Sequence, residues 1–498
     1  MTPHANSPLT ASPPMNGFQE HPIQPVRAGS AAISSARKPT HNRSHLRPTE
    51  QDELHDLVCI GFGPASLAIA VALHDALDSS RDPPELALLR GRHPKVAFLE
   101  RQPQFAWHAG MLLEGAKMQI SFIKDMATLR NPRSEFTFLN YLHKNNRLVE
   151  FTNLSTFLPQ RIEYEDYMRW CASWFEDVVD YNQEVVEVIP EKSAGGARVV
   201  DSFVVTSKNS ATGAITTRRT KHVIVAAGGR PNIPKPLPQG HPRVVHSSQY
   251  SQAIPKLLDN PQQPYNVVVI GSGQSAAEIF DNLHSHYPNS KTRLLIRGAA
   301  LRPSDDSPFV NEIFDPSRVS SIYSQDSAIR AASIAADRNT NYGVVRLPLL
   351  ERIYETLYTQ RLRHSSEDEW PHRILPYRTV TSVEDSPKSR NGVRLHIYNG
   401  SGKYGMPSGG QEHEVMDADA VIVAAGYKRD SHEELLRNAR HLMPGGDGAG
   451  KKWAVRRDYG VRFEPGTVSE DAGIWLQGCN EDTHGVSLFL LSLRTRRD

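Results

Sequence analysis

Cysteine is scarce in this chain: three in 498 residues, Cys59, Cys171 and Cys479, widely spaced and with no CxxC pair. That excludes a disulfide scaffold, a zinc ribbon and chemistry that needs a local dithiol, and points to reduced thiols in the cytoplasm without a bound metal. An excess of one charge is also missing. Against 57 basic side chains stand 55 acidic ones, a net charge of +2, so nothing in the balance calls for nucleic acid. No apolar run approaches the roughly 18 residues needed to cross a bilayer, so no membrane partner is expected. What is present is ordinary globular material, 39% hydrophobic and 22% charged, enough for about two to four domains.

Residues 1–50 stand apart. They are rich in Pro, Ser, His and Arg, show no apolar period, and hold Glu20 as the sole acid before Glu50. Such a segment buries too little to offset its ordering entropy, and a disordered tail is expected. From Asp56 onward strand and helix signals alternate. DLVCI (56–60) and VAFL (96–99) read as buried strands, and so, much later, do NVVVI (266–270), RLLI (293–296) and DAVIVA (419–424). Continuous apolar runs of this length suit strands covered on both faces. Residues 303–360 read as mainly helical, and 400–413 and 445–450 as surface loops.

Two glycine turns carry the chemistry. GFGPAS (61–66) follows a buried strand and opens a helix. In that context Gly61 serves the tight turn, Gly63 lets a pyrophosphate approach the helix N-terminus, and Ser66 is the small residue where helix meets sheet. Glu100, 39 residues after Gly61, ends the next strand, where a carboxylate reads a bare ribose diol; FAD or NAD is expected there and NADP is not. GSGQSA (271–276) repeats the arrangement with Gly271 and Gly273, but its next strand ends in Arg297. A guanidinium there accepts a 2′-phosphate, so NADPH is expected, with Gln274 and Ser275 at its phosphates. Two sites of opposite charge logic imply electron flow from NADPH to a flavin. A disulfide reductase is excluded by the cysteines, which leaves quinone-type dehydrogenases and monooxygenases.

Longer motifs narrow this. HSSQY (246–250), DAVIVAAGY (419–427), FAWH (105–108), MQISFIKD (118–125), SDDSPFVNE (304–312) and GCNEDTHG (478–485) together resemble the class B flavin-dependent N-hydroxylating monooxygenases, in the form of the fungal L-ornithine N5-monooxygenases of siderophore biosynthesis. The resemblance runs from Gln51 to Ser487. It implies an α/β fold with two Rossmann-like dinucleotide-binding domains and a smaller, mainly helical substrate domain. The divisions expected are FAD binding by 51–231 and 416–498, NADPH binding by 232–305 and 354–415, and ornithine binding by 306–353. It implies FAD, NADPH, O2 and L-ornithine as reactants, a C4a-hydroperoxyflavin as oxidant, and a homotetramer.

The residue roles it implies are these. Lys124 pairs with the substrate α-carboxylate, Asn311 and Asn341 contact substrate, and Asn341 also lies near the nicotinamide end. Ser487 faces the amine end, Gln119 lies beside the isoalloxazine, and Trp107, His108 and Met118 line the flavin pocket. Gln119 and Asn341 are the pair expected nearest the chemistry. An ornithine amine with a pKa of about 10.4 in water is protonated at pH 7, so the pocket must hold it neutral through desolvation and acceptors. The chain departs from the family pattern after Ser487: the usual polar residue and longer helix are replaced by LFLLSLRTRRD (488–498). That departure supports an alternative, a flavin- and NADPH-binding protein with lost or uncoupled activity.

Overall fold

Strand Leu54–Ile60 pairs in parallel with Val96–Leu99 on one side (Ile60 opposite Leu99) and Ile215–Val225 on the other (Ile60 opposite Val225). Its apolar run is covered on both faces, which is why it reads without alternation. In the computed structural model, which describes residues 44–78, 93–192, 199–387, 392–404 and 411–485, these strands belong to a seven-stranded sheet. Val179–Asp180 flanks Val96–Leu99, and Gly473–Leu476 returns from far along the chain to pair with Ile215–Val225. Strands Gln183–Lys192 and Val200–Asn209 form an antiparallel meander with Ile215–Val225.

The second sheet repeats the plan. His372–Leu375, Lys291–Leu295, Asn266–Ile270, Ala420–Val423 and Val244–His246 are all parallel, and Arg378–Asp385, Val393–Asn399 and His413–Ala418 form its antiparallel meander. In the first half one 11-residue strand serves both sheet and meander. In the second the chain breaks at Asp419, whose carboxylate accepts the Asn266 N–H at 2.8 Å.

This corrects one expected division. Ala420–Val423, assigned with 416–498 to the FAD half, hydrogen-bonds to Asn266–Ile270 and Val244–His246 and belongs to the second sheet. Strand membership depends on long-range pairing, which a local apolar run does not encode. The expected tail is also shortened. Residues 44–50 are packed: Leu46 is 4% exposed within the core that holds Phe62 and Phe98, and Arg47 bridges to Lys95. Residues 1–43 lie outside the described residues, as does part of the loop at 400–413.

Between the strands of the second half lie Pro308–Asn311, Arg318–Ser324, Ser327–Asn341 and Leu347–Arg363, the helical region expected there. Among the described residues no helix is long and apolar enough to cross a membrane.

Candidate active site

The two glycine turns are built alike. Gly61 has φ +89°, and a Cβ on it would lie 2.8 Å from the Ala226 carbonyl oxygen; Gly271 has φ +141°, with a Cβ placed 2.4 Å from that of Ala424. Both carbonyls belong to the residue just past the neighbouring strand. Gly61 N–H donates to Leu99 C=O at 2.8 Å and Gly271 N–H to Leu295 C=O at 3.1 Å. A side chain at either position would meet backbone and an unfavourable φ at once.

Helix Pro64–Leu77 starts after Gly63, with Pro64 at its first position, and Gln274–His286 starts after Gly273. Neither N-terminus takes a side-chain cap, so first-turn N–H groups remain to bind an anion. Nothing lies within 4 Å of a Cβ built on Gly63. Ser66 is fully buried, and its Oγ has no hydrogen-bond partner among the described residues.

The strand-end residues differ as expected in charge, with additions. Glu100 is 7% exposed, and its two oxygens accept the N–H groups of Phe62 (2.7 Å) and Gln102 (2.9 Å), so it braces the first turn. Arg297 lies two residues beyond strand Lys291–Leu295, exposed to solvent. The Gln274 side chain, expected at a phosphate, has protein partners instead. It donates to Glu278 at 2.9 Å and accepts the Arg346 N–H at 2.9 Å. Ser275 follows it, half-buried in the first turn of the helix.

Lys124 and Asn311, 187 positions apart, line one cavity of about 460 Å³, together with Ala68 of the first helix, Asp125, Glu312 and Asp315. Lys124 is half-buried. Burial lowers its pKa below the ordinary lysine value, while Asp315 opposes the shift. Asn311 is held by donating to Asp306 C=O at 2.8 Å.

Asn341 is not in that lining. It ends helix Ser327–Asn341 with its side chain exposed. The next residue, Tyr342, donates its hydroxyl to Glu481, which also pairs with Arg429. This fastens the helix end to the Gly478–Gly485 segment, where His484 stacks on Tyr459 at 4.1 Å. Ser487 and the departing C-terminal sequence lie outside the described residues.

Gln119 is exposed and Met118 is 5% exposed beside it. Trp107 meets His108 edge-on at 4.9 Å, and His108 meets Tyr427 at 5.9 Å. The His108 side chain keeps contact with solvent, yet desolvation by the surrounding protein, then the guanidiniums of Arg161 and Arg429, push its pKa down to about 4. His246 also packs edge-on against Tyr427, at 5.1 Å, with its Nε2 3.0 Å from Gly426 O. Three motifs distant in sequence, 105–108, 246–250 and 419–427, thus meet.

A polar chain links the parts and had no local signal in the sequence. Arg161 donates to Met111 C=O at 2.8 Å and grips both oxygens of Glu278 at 2.9 and 2.8 Å. Glu278 carries Gln274, Gln274 carries Arg346, and Arg346 pairs with Asp306 at 2.8 Å. The Arg161–Glu278 pair is 11% and 7% exposed, and at that depth a bidentate pair sets geometry.

Residues 53–429 match the family model described as L-lysine 6-monooxygenase/L-ornithine 5-monooxygenase. An L-ornithine N(5)-monooxygenase of Cochliobolus heterostrophus is 64% identical over 463 residues, covering 92% of this chain and 87% of that protein. Among solved structures, the ornithine hydroxylase PvdA of Pseudomonas aeruginosa is 36% identical with a TM-score of 0.75, covering 88% of this chain and 96% of that one. The ornithine N-hydroxylase KtzI of Kutzneria, solved with reduced FAD, NADP+ and L-ornithine, is 31% identical with a TM-score of 0.76, covering 89% and 97%. Matched over most of its length in sequence and in fold, the chain belongs to the L-lysine 6-monooxygenase/L-ornithine 5-monooxygenase family.

Proposed function

We propose that the protein hydroxylates the side-chain amine of L-ornithine to N5-hydroxyornithine, consuming NADPH and O2, as a first step toward hydroxamate siderophores. The observation that carries this reading is the meeting of Lys124 and Asn311 in one cavity against the first Rossmann helix. A cation and an amide there suit the carboxylate end of a free amino acid.

The two turns fit two dinucleotides: packed glycines, uncapped helix N-termini and, at the first, the orphan Ser66 Oγ. Gly61, Gly63, Ser66 and Glu100 would hold FAD, with Trp107, His108, Met118 and Gln119 around its ring. Gly271, Gly273, the Gln274 and Ser275 N–H groups and Arg297 would hold NADPH. Bound there, FAD would supply the redox chemistry, taking reducing equivalents from NADPH and activating O2.

The protein's own part is placement. Lys124 and Asn311 fix the amino-acid end; Asn341, outside the cavity lining and next to the Tyr342–Glu481 contact, is assigned to the amine and nicotinamide ends by the family resemblance alone. Ser487 is the proposed acceptor at the amine. Neutral acceptors there allow the amine to lose its proton, which a carboxylate would oppose. Carboxylates do line the cavity, Asp125, Glu312 and Asp315; Asp125 follows Lys124 directly in the chain, and Asp315 acts on the Lys124 charge. The alternative of a binding protein without hydroxylation is not favoured by likeness to named ornithine monooxygenases over most of the chain. A homotetramer, by family resemblance, and a cytoplasmic location, from the sparse unpaired cysteines, extend the proposal.

Mass spectrometry of the amino acid after incubation with the FAD-loaded protein, NADPH and O2 tests the reading. A gain of one oxygen on the δ-nitrogen supports it; unaltered ornithine alongside consumed NADPH refutes it.

A further inference from the structure

Tyr164, on helix Arg161–Ala172, is 1% exposed and lies outside the cavity lining. Its hydroxyl donates to the Lys124 carbonyl at 3.1 Å, and its ring meets Trp107 with 6.3 Å between centroids. One turn further, the Tyr167 hydroxyl accepts the Met126 N–H at 3.0 Å and donates to Phe136 C=O at 2.6 Å. Asp125, 2% exposed, completes the clamp. Its oxygens accept the N–H groups of Ala127 (3.0 Å), Thr128 (2.6 Å) and Phe138 (2.7 Å) and the Thr128 hydroxyl (2.7 Å). The turn that carries Lys124 is therefore held at nearly every peptide by groups that need not touch substrate.

We propose that the Tyr164 hydroxyl is a positioning group for the substrate carboxylate, fixing the Lys124 backbone so that its ammonium meets an α-carboxylate at the proper depth. The inference rests on the role given to Lys124 above. A flexible lysine stem can reach many points, so affinity for one carboxylate position requires a fixed root. Burial keeps the Tyr164 hydroxyl protonated well above the ordinary tyrosine range, so it stays a donor across the working pH.

The test compares ornithine and NADPH kinetics in the full-length, FAD-loaded enzyme. Tyr164→Phe removes one oxygen and keeps the ring. With one buried hydrogen bond lost, the KM for L-ornithine should rise about five- to tenfold. The KM for NADPH, the flavin content and the rate of NADPH oxidation without ornithine should stay within about twofold. Thr128→Val, which loosens the same turn from a half-buried position, should give a smaller rise for ornithine alone and carries the test if Tyr164→Phe does not fold. An unchanged ornithine KM, or equal losses for ornithine and NADPH, would overturn the positioning role. An unmodified enzyme that forms no hydroxyornithine would overturn the function on which it rests.

Discussion

Lys124 and Arg297 are the two cations on which substrate and reductant selectivity depend in this account, and their settings differ. Arg297 is exposed just past strand Lys291–Leu295 of the second sheet, where the proposed 2′-phosphate would lie. Arg297→Ala should therefore raise the KM for NADPH by at least about tenfold and leave the ornithine KM nearly unchanged, as steady-state kinetics will read. Equal effects on both would remove Arg297 from the 2′-phosphate. Lys124 is half-buried with a lowered pKa, from burial first, against the opposing field of Asp315. Its cation is lost as pH rises through a value below the ordinary lysine figure of about 10.4. The ornithine KM should thus climb on the alkaline side earlier than a free lysine would dictate, whereas the KM for NADPH should show no such rise there. Lys124→Ala should abolish hydroxylation while NADPH oxidation persists. Lys124 is readable from its motif in the sequence. The Asp125 clamp is not, because its partners reach to Phe138 and Tyr164 stands 40 positions from Lys124.

At the level of elements, the turns and the Arg161–Glu278 bridge make separable predictions. Gly271→Ala places a methyl against the Ala424 backbone at a positive φ, and the variant should keep bound flavin yet lose NADPH-driven flavin reduction. Gly61→Ala should lose the flavin absorbance itself. Glu278→Ala leaves a buried guanidinium unpaired, a loss of about 3–5 kcal/mol that calorimetry would show as a lower Tm. The glycine turns were legible because strand, turn and helix are contiguous and each residue type answers a local need. The bridge was not, since Arg161 and Glu278 lie 117 positions apart on elements with no shared pattern. The same reason put Ala420–Val423 in the wrong half: an apolar run declares a strand but not its neighbours. Leu46 shows the converse, a single apolar residue in a polar, Pro-rich context that finds a place in the core.

Over the whole molecule, buried histidines set the acid limit. Burial lowers the pKa of His55, His246, His284 and His484, and pushes His372 down to about 3. A histidine whose pKa is lower folded than unfolded contributes fully above about 6.5, and that contribution is lost as pH falls toward the folded value. The Tm should therefore drop steadily from pH 7 to pH 5, and His372→Phe should flatten the slope whatever it does to the Tm at pH 7. The duplicated sheets explain how one chain holds two nucleotides: each glycine turn packs on the carbonyl just past its neighbouring strand, and Gly473–Leu476 closes the first sheet after the second is complete. Function rests on the two halves working together, so coupling is the sharpest test. With saturating L-ornithine and the FAD-loaded full chain, N5-hydroxyornithine formed per NADPH oxidised should be about one, with little hydrogen peroxide. NADPH consumed into peroxide regardless of ornithine, with no hydroxylated product, would contradict the account.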